Sequence, residues 1–369
     1  MKNLFPIMMA LVFLVVLVGS NIYLSRRVAW ILSAESRWWL HVIFAVVPVL
    51  MMAGLFGFSN ATSALGSVLY SLSAFITGFV LFFLVSMLAT ELVALALKPG
   101  PVWFGVFALS LTLVVASLGT WKAFRVKLTH KDIALSELTS EVRVLHLSDI
   151  HLGHFRGASF LREIVRLGAS AGPDMVVITG DLFDGRKQLR LETLAPLQEF
   201  NVPLYFVEGN HDGYSGVQEI KKLLRETGVH VLENEVVTEG PLQLVGLDHM
   251  RADNDAPGMH AMQNGKTIRE VLSRLEVDPE RPSVLLHHSP DGIEYASAKG
   301  IDLYLAGHTH GGQLFPVTYM NDLIFKYNRG LSSYNDTQIF VSMGAGTFGP
   351  PMRIGTKSEI TMLRLVPGN

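Results

Sequence analysis

The chain has 369 residues, 49% of them hydrophobic, with a formal net charge of −2 at pH 7 and no cysteine. This length exceeds that of one ordinary domain, and the near-neutral charge gives no electrostatic reason to expect a nucleic-acid partner. The absence of cysteine excludes disulfides, zinc-thiolate sites and thiol nucleophiles. Charged residues are almost absent from residues 1–121, whereas residues 122–369 have the composition of a soluble globular protein.

The first third of the chain consists of apolar stretches long enough to cross a bilayer, which takes about 20 residues. They predict four transmembrane helices, near residues 4–24, 39–58, 67–96 and 102–121. A cleaved signal peptide is the alternative for the first stretch, but Arg26 and Arg27 stand where small residues would be expected. Glu91 is the only carboxylate in a predicted span, and we interpret it as an interfacial residue rather than a buried functional site.

Residues 122–141 are mixed and charged, and they are typical of a connector. Beyond them, seven short apolar runs predict strands at 142–148, 175–179, 203–207, 242–247, 283–287, 302–306 and 338–343. Helical spacing of apolar residues recurs at 158–170, 216–226, 266–276 and 291–299. Strands that alternate with helices predict a layered α/β domain.

Polar residues directly follow five of these strands. They are Asp149-Ile150-His151, Gly180-Asp181, Gly209-Asn210-His211-Asp212, His288-Ser289-Pro290 and Gly307-His308-Thr309-His310. The ends of strands collect ligand sites in open α/β sheets, so the five clusters can converge on one place. Each fragment alone is more often a turn or a surface feature, but their joint occurrence in this order argues against chance.

The pooled side chains form a mixed set of nitrogen and oxygen ligands, which suits Mn, Fe or Zn better than Ca or Mg. The seven candidates are Asp149, His151, Asp181, Asn210, His288, His308 and His310. Seven side chains are too many for one ion, whereas two ions that share one bridging carboxylate would use all seven. We expect the Asp-x-His and His-x-His pairs to be extended, which would place alternate side chains on the same side.

Together these motifs resemble the calcineurin-like metallophosphoesterase superfamily, over about residues 142–365. The string GHTHGGQ (307–313) is similar to that of membrane-associated or exported bacterial members, some of which carry several transmembrane helices. The resemblance implies a four-layer α-β-β-α sandwich over residues 142–369, after a transmembrane region (1–121) and a connector (122–141). It also implies a multi-pass protein of a bacterial plasma membrane, although the basic residues that flank the helices do not decide its orientation.

The resemblance further implies a role for each site residue. One metal is held by Asp149, His151 and His310, the other by Asn210, His288 and His308, and Asp181 bridges them. His211 contacts the phosphate and protonates the leaving group, and Asp212 orients His211. His288, two residues before Pro290, is the ligand rather than its neighbour His287. Asp184 is either a supporting residue or only a helix N-cap.

The implied reaction is hydrolysis of a phosphodiester or phosphomonoester by metal-activated hydroxide. The expected partners are the lipid bilayer and a phosphate ester, for which a lipid-linked compound is one candidate. Two alternatives stay open: a lipid pyrophosphatase that acts on a nucleotide-sugar lipid, and a non-catalytic, metal-bound membrane sensor or scaffold. Arg353 is a candidate phosphate contact, and the Gly/Pro-rich loop 344–352 either lines the site or closes the sheet.

Overall fold

The computed structural model describes residues 4–34, 37–254 and 265–368, which form two compact units. The first unit is built from helices α1 (Leu4–Ile31), α2 (Trp38–Gly57), α3 (Ala64–Leu97) and α4 (Pro101–Ala123). All four are long and apolar enough to cross a membrane, so the four predicted helices are confirmed as helices.

Helix α1 continues to Ile31, past the end predicted near residue 24. Arg27 lies in this extension and forms an ion pair with Glu91 of α3. Its guanidinium lies 4.3 Å from the centroid of the Trp30 ring, and Glu91 also accepts a 2.9 Å hydrogen bond from the Tyr23 hydroxyl. Since its charge is paired in this way, the arginine does not end the helix. Glu91 ties α3 to α1 through these contacts.

The second unit contains two mixed six-stranded sheets. The order of the first sheet is β1 (Val126–Leu135), β14 (Ser358–Pro367), β2 (Val142–Leu147), β4 (Met175–Thr179), β6 (Leu204–Val207) and β7 (His230–Val231). The order of the second is β12 (Gly330–Tyr334), β13 (Thr337–Val341), β11 (Leu303–Ala306), β10 (Ser283–Leu286), β9 (Leu242–Gly246) and β8 (Glu235–Glu239). Strands β2, β4, β6 and β7 run parallel, as do β9, β10, β11 and β13. A short parallel pair joins β3 (Leu152–Gly153) and β5 (Phe183–Asp184).

Within the described residues of this unit, seven further α-helices accompany these sheets. They are α5 (Ala158–Ala169), α6 (Leu191–Leu194), α7 (Asn210–Ser215), α8 (Val217–Glu226), α9 (Ile268–Arg274), α10 (Ile293–Ala298) and α11 (Val317–Ile324). Short 3-10 helices occupy Ala195–Glu199 and His310–Gly312.

Three apolar cores separate four layers in the second unit. One core lies between the first sheet and helices α5 and α8, one lies between the two sheets, and one lies between the second sheet and helices α9 and α10. Successive strand residues face opposite cores: Val144 and Val177 pack between the sheets, whereas Leu145 and Val176 pack under the helices. Burial on both faces explains why these strands are continuous apolar runs, and the predicted α-β-β-α sandwich is confirmed.

Much of the predicted connector is regular structure. Strand β1 pairs in parallel with β14 along its whole length, from Val126 opposite Ser358 to Leu135 opposite Pro367. It is an edge strand, and its exposed positions include Lys127 and Lys131. Charged residues on an edge strand discourage pairing with other molecules, and they also gave this strand the composition of a connector.

Candidate metal centre

The five polar clusters all lie at the carboxyl ends of parallel strands. Strands β2, β4 and β6 end beside one another in the first sheet, and β10 and β11 do so in the second. Backbone hydrogen bonds continue beyond the strands: the Asp149 amide donates to the Gly180 carbonyl (3.1 Å), and the Gly307 amide donates to the His288 carbonyl (2.9 Å). The two sheets therefore hold their terminal loops in fixed register.

A first group consists of Asp149, His151 and His310, whose ligand atoms all lie within 4.8 Å of one another. The Nε2 atoms of the two histidines are 3.0 Å apart, and His310 Nε2 lies 3.4 Å from Asp149 Oδ1. All three residues are buried. Two imidazole nitrogens that face each other and a carboxylate oxygen converge on one point, as the ligands of a cation do.

A second group consists of Asp181, His288 and His308. His288 Nε2 is 3.2 Å from Asp181 Oδ2 and 3.2 Å from His308 Nδ1. The buried Oδ1 atom of Asn210 has no hydrogen-bond partner within the described part of the chain. A buried acceptor without a donor is energetically costly, so this atom fits a role as a cation ligand.

The carboxylate of Asp181 lies between the two groups. Its Oδ2 atom is 3.2 Å from His288 Nε2 in one group and 3.7 Å from His151 Nε2 in the other. Its Oδ1 atom accepts a 2.8 Å hydrogen bond from the His211 backbone amide, which fixes the carboxylate plane. The structure thus brings the predicted ligands together, with one carboxylate shared by both groups.

The backbone at five of these residues is left-handed, although the Asp-x-His and His-x-His pairs among them were expected to be extended. The φ angles are 51° at Asp149, His151 and Asp181, 71° at His308 and 49° at His310. Each such angle at a non-glycine residue costs about 1–3 kcal/mol and persists only where the surrounding structure imposes it. Strain of this kind collects at functional sites, and here it turns the side chains at the strand ends towards one point.

Two glycines make room for the ligands. A Cβ atom on Gly307 would lie 1.9 Å from Ser148 Oγ and 2.1 Å from Asp149 Oδ2, and one on Gly209 would lie 2.2 Å from Asp181 Oδ1. Real Cβ contacts are never this short, so any larger residue at either position would displace a carboxylate. Ser148 donates a 2.6 Å hydrogen bond to Asp149 Oδ2, a supporting contact that the motifs did not reveal.

His211 stands beside the first group, with its ring edge-on to that of His151 at a centroid separation of 4.9 Å. Its Nδ1 atom is 2.9 Å from Asp184 Oδ1. Asp184 therefore lies against the His211 ring, as a supporting residue would. The GDLFDG string places Asp184 three residues after Asp181, but it does not identify His211 as the partner of Asp184.

The expected contact between Asp212 and the His211 ring is corrected by the structure. Asp212 Oδ1 accepts the Phe183 amide at 3.0 Å, and its Oδ2 accepts the Gly209 amide at 2.9 Å. In the first turn of α7 its carboxylate points back to the backbone, as an acid at this position does. Asp212 thus fixes the loop that carries Asn210 and does not touch the His211 imidazole.

Burial and close charges shift the pKa values of these groups in opposite directions. Burial raises the pKa of Asp149 to about 6 and lowers that of His151 to about 3. Burial opposes ionisation of Asp181 too, but the His288 and His211 imidazoles outweigh it and hold its pKa well below the ordinary value. For His288, the attraction of Asp181 exceeds the effect of burial and raises the pKa to about 9. Positive charge is therefore favoured beside Asp181.

His287 and His288 point to different places, as predicted. The Nδ1 atom of His287 is 2.8 Å from the Ser289 carbonyl oxygen and 2.9 Å from the Tyr304 hydroxyl, on the side away from Asp181. A further histidine, His249, was not predicted: its ring centroid lies 5.6 Å from that of His288. It follows β9 at the same sheet edge, so its position after a predicted strand could have indicated that it lies near the site.

The expectation that Arg353 contacts phosphate is wrong, because its side chain is fully buried behind the first group. Its Nη2 atom donates to the Gly346 carbonyl (2.7 Å) and lies 3.0 Å from His310 Nδ1. Loop 344–352 nevertheless reaches the site through Phe348, which is 45% exposed and whose ring lies 5.2 Å from the His310 ring.

Comparison with known proteins gives a consistent result. Residues 142–312 match the family described as Calcineurin-like phosphoesterase. The chain is 33% identical over 258 residues to an uncharacterized metallophosphoesterase of Helicobacter pylori (strain J99), covering 68% of each chain. It is 34% identical over 277 residues to "Transmembrane protein with metallophosphoesterase domain" of Danio rerio, covering 70% of this chain and 62% of the relative. It is 28% identical over 255 residues to phosphodiesterase YaeI of Escherichia coli, covering 64% and 87%.

Proposed function

Since the chain belongs to the calcineurin-like metallophosphoesterase family, we propose that it hydrolyses a phosphodiester or phosphomonoester at a centre of two divalent cations. The observation that carries this proposal is the position of Asp181, 3.2 Å from a nitrogen of one histidine group and 3.7 Å from a nitrogen of the other. A single-ion site or a structural tie between sheets has no need of a carboxylate shared in this way.

The proposed ligands divide between two ions. Asp149, His151 and His310 hold the first, Asn210, His288 and His308 hold the second, and Asp181 bridges them. The unpartnered Asn210 oxygen and the close approach of two pairs of imidazole nitrogens fit this assignment. The mixture of carboxylate, amide and imidazole donors favours Mn, Zn or Fe over Mg or Ca.

Two divalent cations bound there would supply hydroxide near neutral pH and neutralise charge on the phosphoryl oxygens. The protein's own contribution to bond cleavage is a proton from His211. Asp184 holds Nδ1 of His211 at 2.9 Å, which leaves Nε2 to face the substrate. Burial lowers the pKa of His211, but Asp181 and Asp184 outweigh it and raise the pKa to about 9. The Asp184 carboxylate at Nδ1 favours a proton on the ring, which Nε2 can deliver to the leaving oxygen as a general acid.

We also propose that helices α1 to α4 anchor this activity in a bacterial plasma membrane as a multi-pass protein. Their length and apolar composition support this location. A membrane location favours a phosphate ester carried by a lipid or by another envelope component.

Full-length protein in detergent tests the proposal. After chelation of bound metal, it is reloaded with Mn, Zn or Fe(II) and assayed on bis(4-nitrophenyl) phosphate, 4-nitrophenyl phosphate and a lipid pyrophosphate. We expect metal-dependent hydrolysis of at least one of the two nitrophenyl esters. Hydrolysis of the pyrophosphate alone would reassign the substrate class, and two bound metals without any turnover would favour a scaffold.

A further inference from the structure

A cavity of about 470 Å³ opens beside the second histidine group. Its volume is within the range of roughly 300–1,000 Å³ that small-molecule sites occupy. Pro290, two residues after His288, forms part of its wall, and so does Phe325, whose ring centroid lies 5.8 Å from that of His308. Pro290 and Phe325 thus connect this cavity to the second histidine group.

The cavity wall combines aromatic rings with carboxylates. Phe325, Tyr327 and Tyr334 contribute the rings, and Asp291 and Glu294 contribute the acids. The face of an aromatic ring carries negative charge density and attracts cations, and rings that surround a cavity favour quaternary ammonium groups in particular. A neutral aromatic ligand would use the rings alone, whereas a cationic ligand would use both the rings and the carboxylates.

One ammonium group already uses these rings. Lys326 Nζ lies 5.2 Å from the centroid of the Tyr327 ring and 5.3 Å from that of the Tyr334 ring. Lys326 is exposed, so its flexible stem can carry the amine away into solvent when a ligand enters. Even with Lys326 counted, the described lining has two acids against one base and a net charge of −1.

The orientation of one acid is fixed relative to the proposed second ion. The Ser289 hydroxyl donates a 2.9 Å hydrogen bond to Asp291 Oδ2, and Ser289 directly follows His288 in the chain. The Asp291 carboxylate is therefore held in one orientation on the cavity wall.

We propose that this cavity binds an alkylammonium group on the substrate, so that the substrate is a phosphate ester of an amino alcohol. The inference rests on the proposed phosphoesterase function and specifies its substrate class. The phosphoryl group lies over the metal centre, and the ammonium group lies among the Phe325, Tyr327 and Tyr334 rings, near the Asp291 and Glu294 carboxylates.

The test compares two nitrophenyl diesters of the same shape on metal-loaded, full-length protein. One is 4-nitrophenyl phosphocholine, and the other is 4-nitrophenyl 3,3-dimethylbutyl phosphate, in which carbon replaces the quaternary nitrogen. We expect kcat/KM to be about tenfold higher for the charged compound, through a lower KM. The Glu294→Gln and Tyr334→Leu variants should each bring this ratio closer to one. The matched control Glu163→Gln removes an equal charge from an exposed position on α5 and should leave the ratio unchanged.

Equal kcat/KM values for the two diesters, or a preference for the neutral one, would overturn the ammonium site while the phosphoesterase function stands. The same conclusion follows if Glu294→Gln and Tyr334→Leu both keep the wild-type ratio. Failure to hydrolyse bis(4-nitrophenyl) phosphate and 4-nitrophenyl phosphate as well would instead refute the phosphoesterase function, and the ammonium site with it.

Discussion

The helical unit and the sandwich place their apolar side chains in opposite ways. In the helices, large hydrophobic residues are turned outward: Leu95 is 77% exposed and Phe56 is 74% exposed. In the sandwich, three apolar cores are closed, and buried polar side chains gather at the strand ends. The first arrangement suits a hydrocarbon solvent and the second suits water. The helices therefore indicate where the protein is located, and the polar residues at the strand ends indicate which reaction it can catalyse.

Replacement of the shared carboxylate should have the largest effect, and it should be confined to the sandwich. In Asp181→Asn we expect metal content to fall from two ions per chain to less than one, and hydrolysis to fall by at least about 10³-fold. Metal analysis and initial rates on bis(4-nitrophenyl) phosphate measure both. The surface variant Asp322→Asn is the control, and an Asp181→Asn protein with two metals and full rate would refute the bridging role.

Removal of the proposed general acid should separate metal binding from turnover. His211→Ala should lower kcat by about 10²–10⁴-fold while both metals remain bound, because in the proposed mechanism the imidazole donates a proton and holds no ion. Asp184→Asn should give a smaller loss of about 10–100-fold, because it only orients that ring. Loss of metal from His211→Ala would show that the residue is a ligand instead.

A charge placed on the outer face of a helix tests whether the helical unit lies in lipid. Val46 is 44% exposed on α2, and Val46→Lys should oppose insertion by about 3 kcal/mol. We expect less protein in the membrane fraction, whereas each correctly folded chain keeps its two metals and its rate. Val46→Leu is the control, and unchanged membrane recovery of the lysine variant would argue against a lipid-facing position.

The smallest expected effect concerns the polar contacts inside the helical unit. Glu91→Gln removes the charge that Arg27 pairs with but keeps a hydrogen-bond acceptor for Tyr23. We expect a loss of about 1 kcal/mol or less in the free energy of unfolding, in line with interhelical polar contacts in membranes. Thermal unfolding in detergent measures it. A large loss of hydrolysis would show that Glu91 is coupled to the sandwich.

Features with a strong local pattern were predictable from the sequence. All seven predicted strands and all four apolar helices are present, because each is a continuous apolar run buried on both faces or suited to lipid. The seven candidate ligands follow from short motifs at strand ends. Strand β14, which pairs with both β1 and β2, was not predicted, because Thr361 and Arg364 interrupt its apolar run. Edge strand β1 was not predicted either, because its charged residues resemble those of a connector.

Several parts of the site depend on tertiary geometry that no local pattern encodes. The left-handed φ angle of 51° at Asp149 is imposed by the packed loops around it and not by its own preference. The contact of Asp184 with His211 joins residues 27 positions apart. The cavity proposed to bind an ammonium group is lined by both the loop after β10 and the segment after α11. Each required the fold to bring distant residues together.

Anomalous diffraction from crystals of the Mn-loaded protein tests the central claim most directly. We predict two manganese peaks about 3.5–4 Å apart, with Asp181 between them, His151 and His310 beside one, and His288 and His308 beside the other. A single peak, or two peaks that do not share the Asp181 carboxylate, would contradict the two-cation centre.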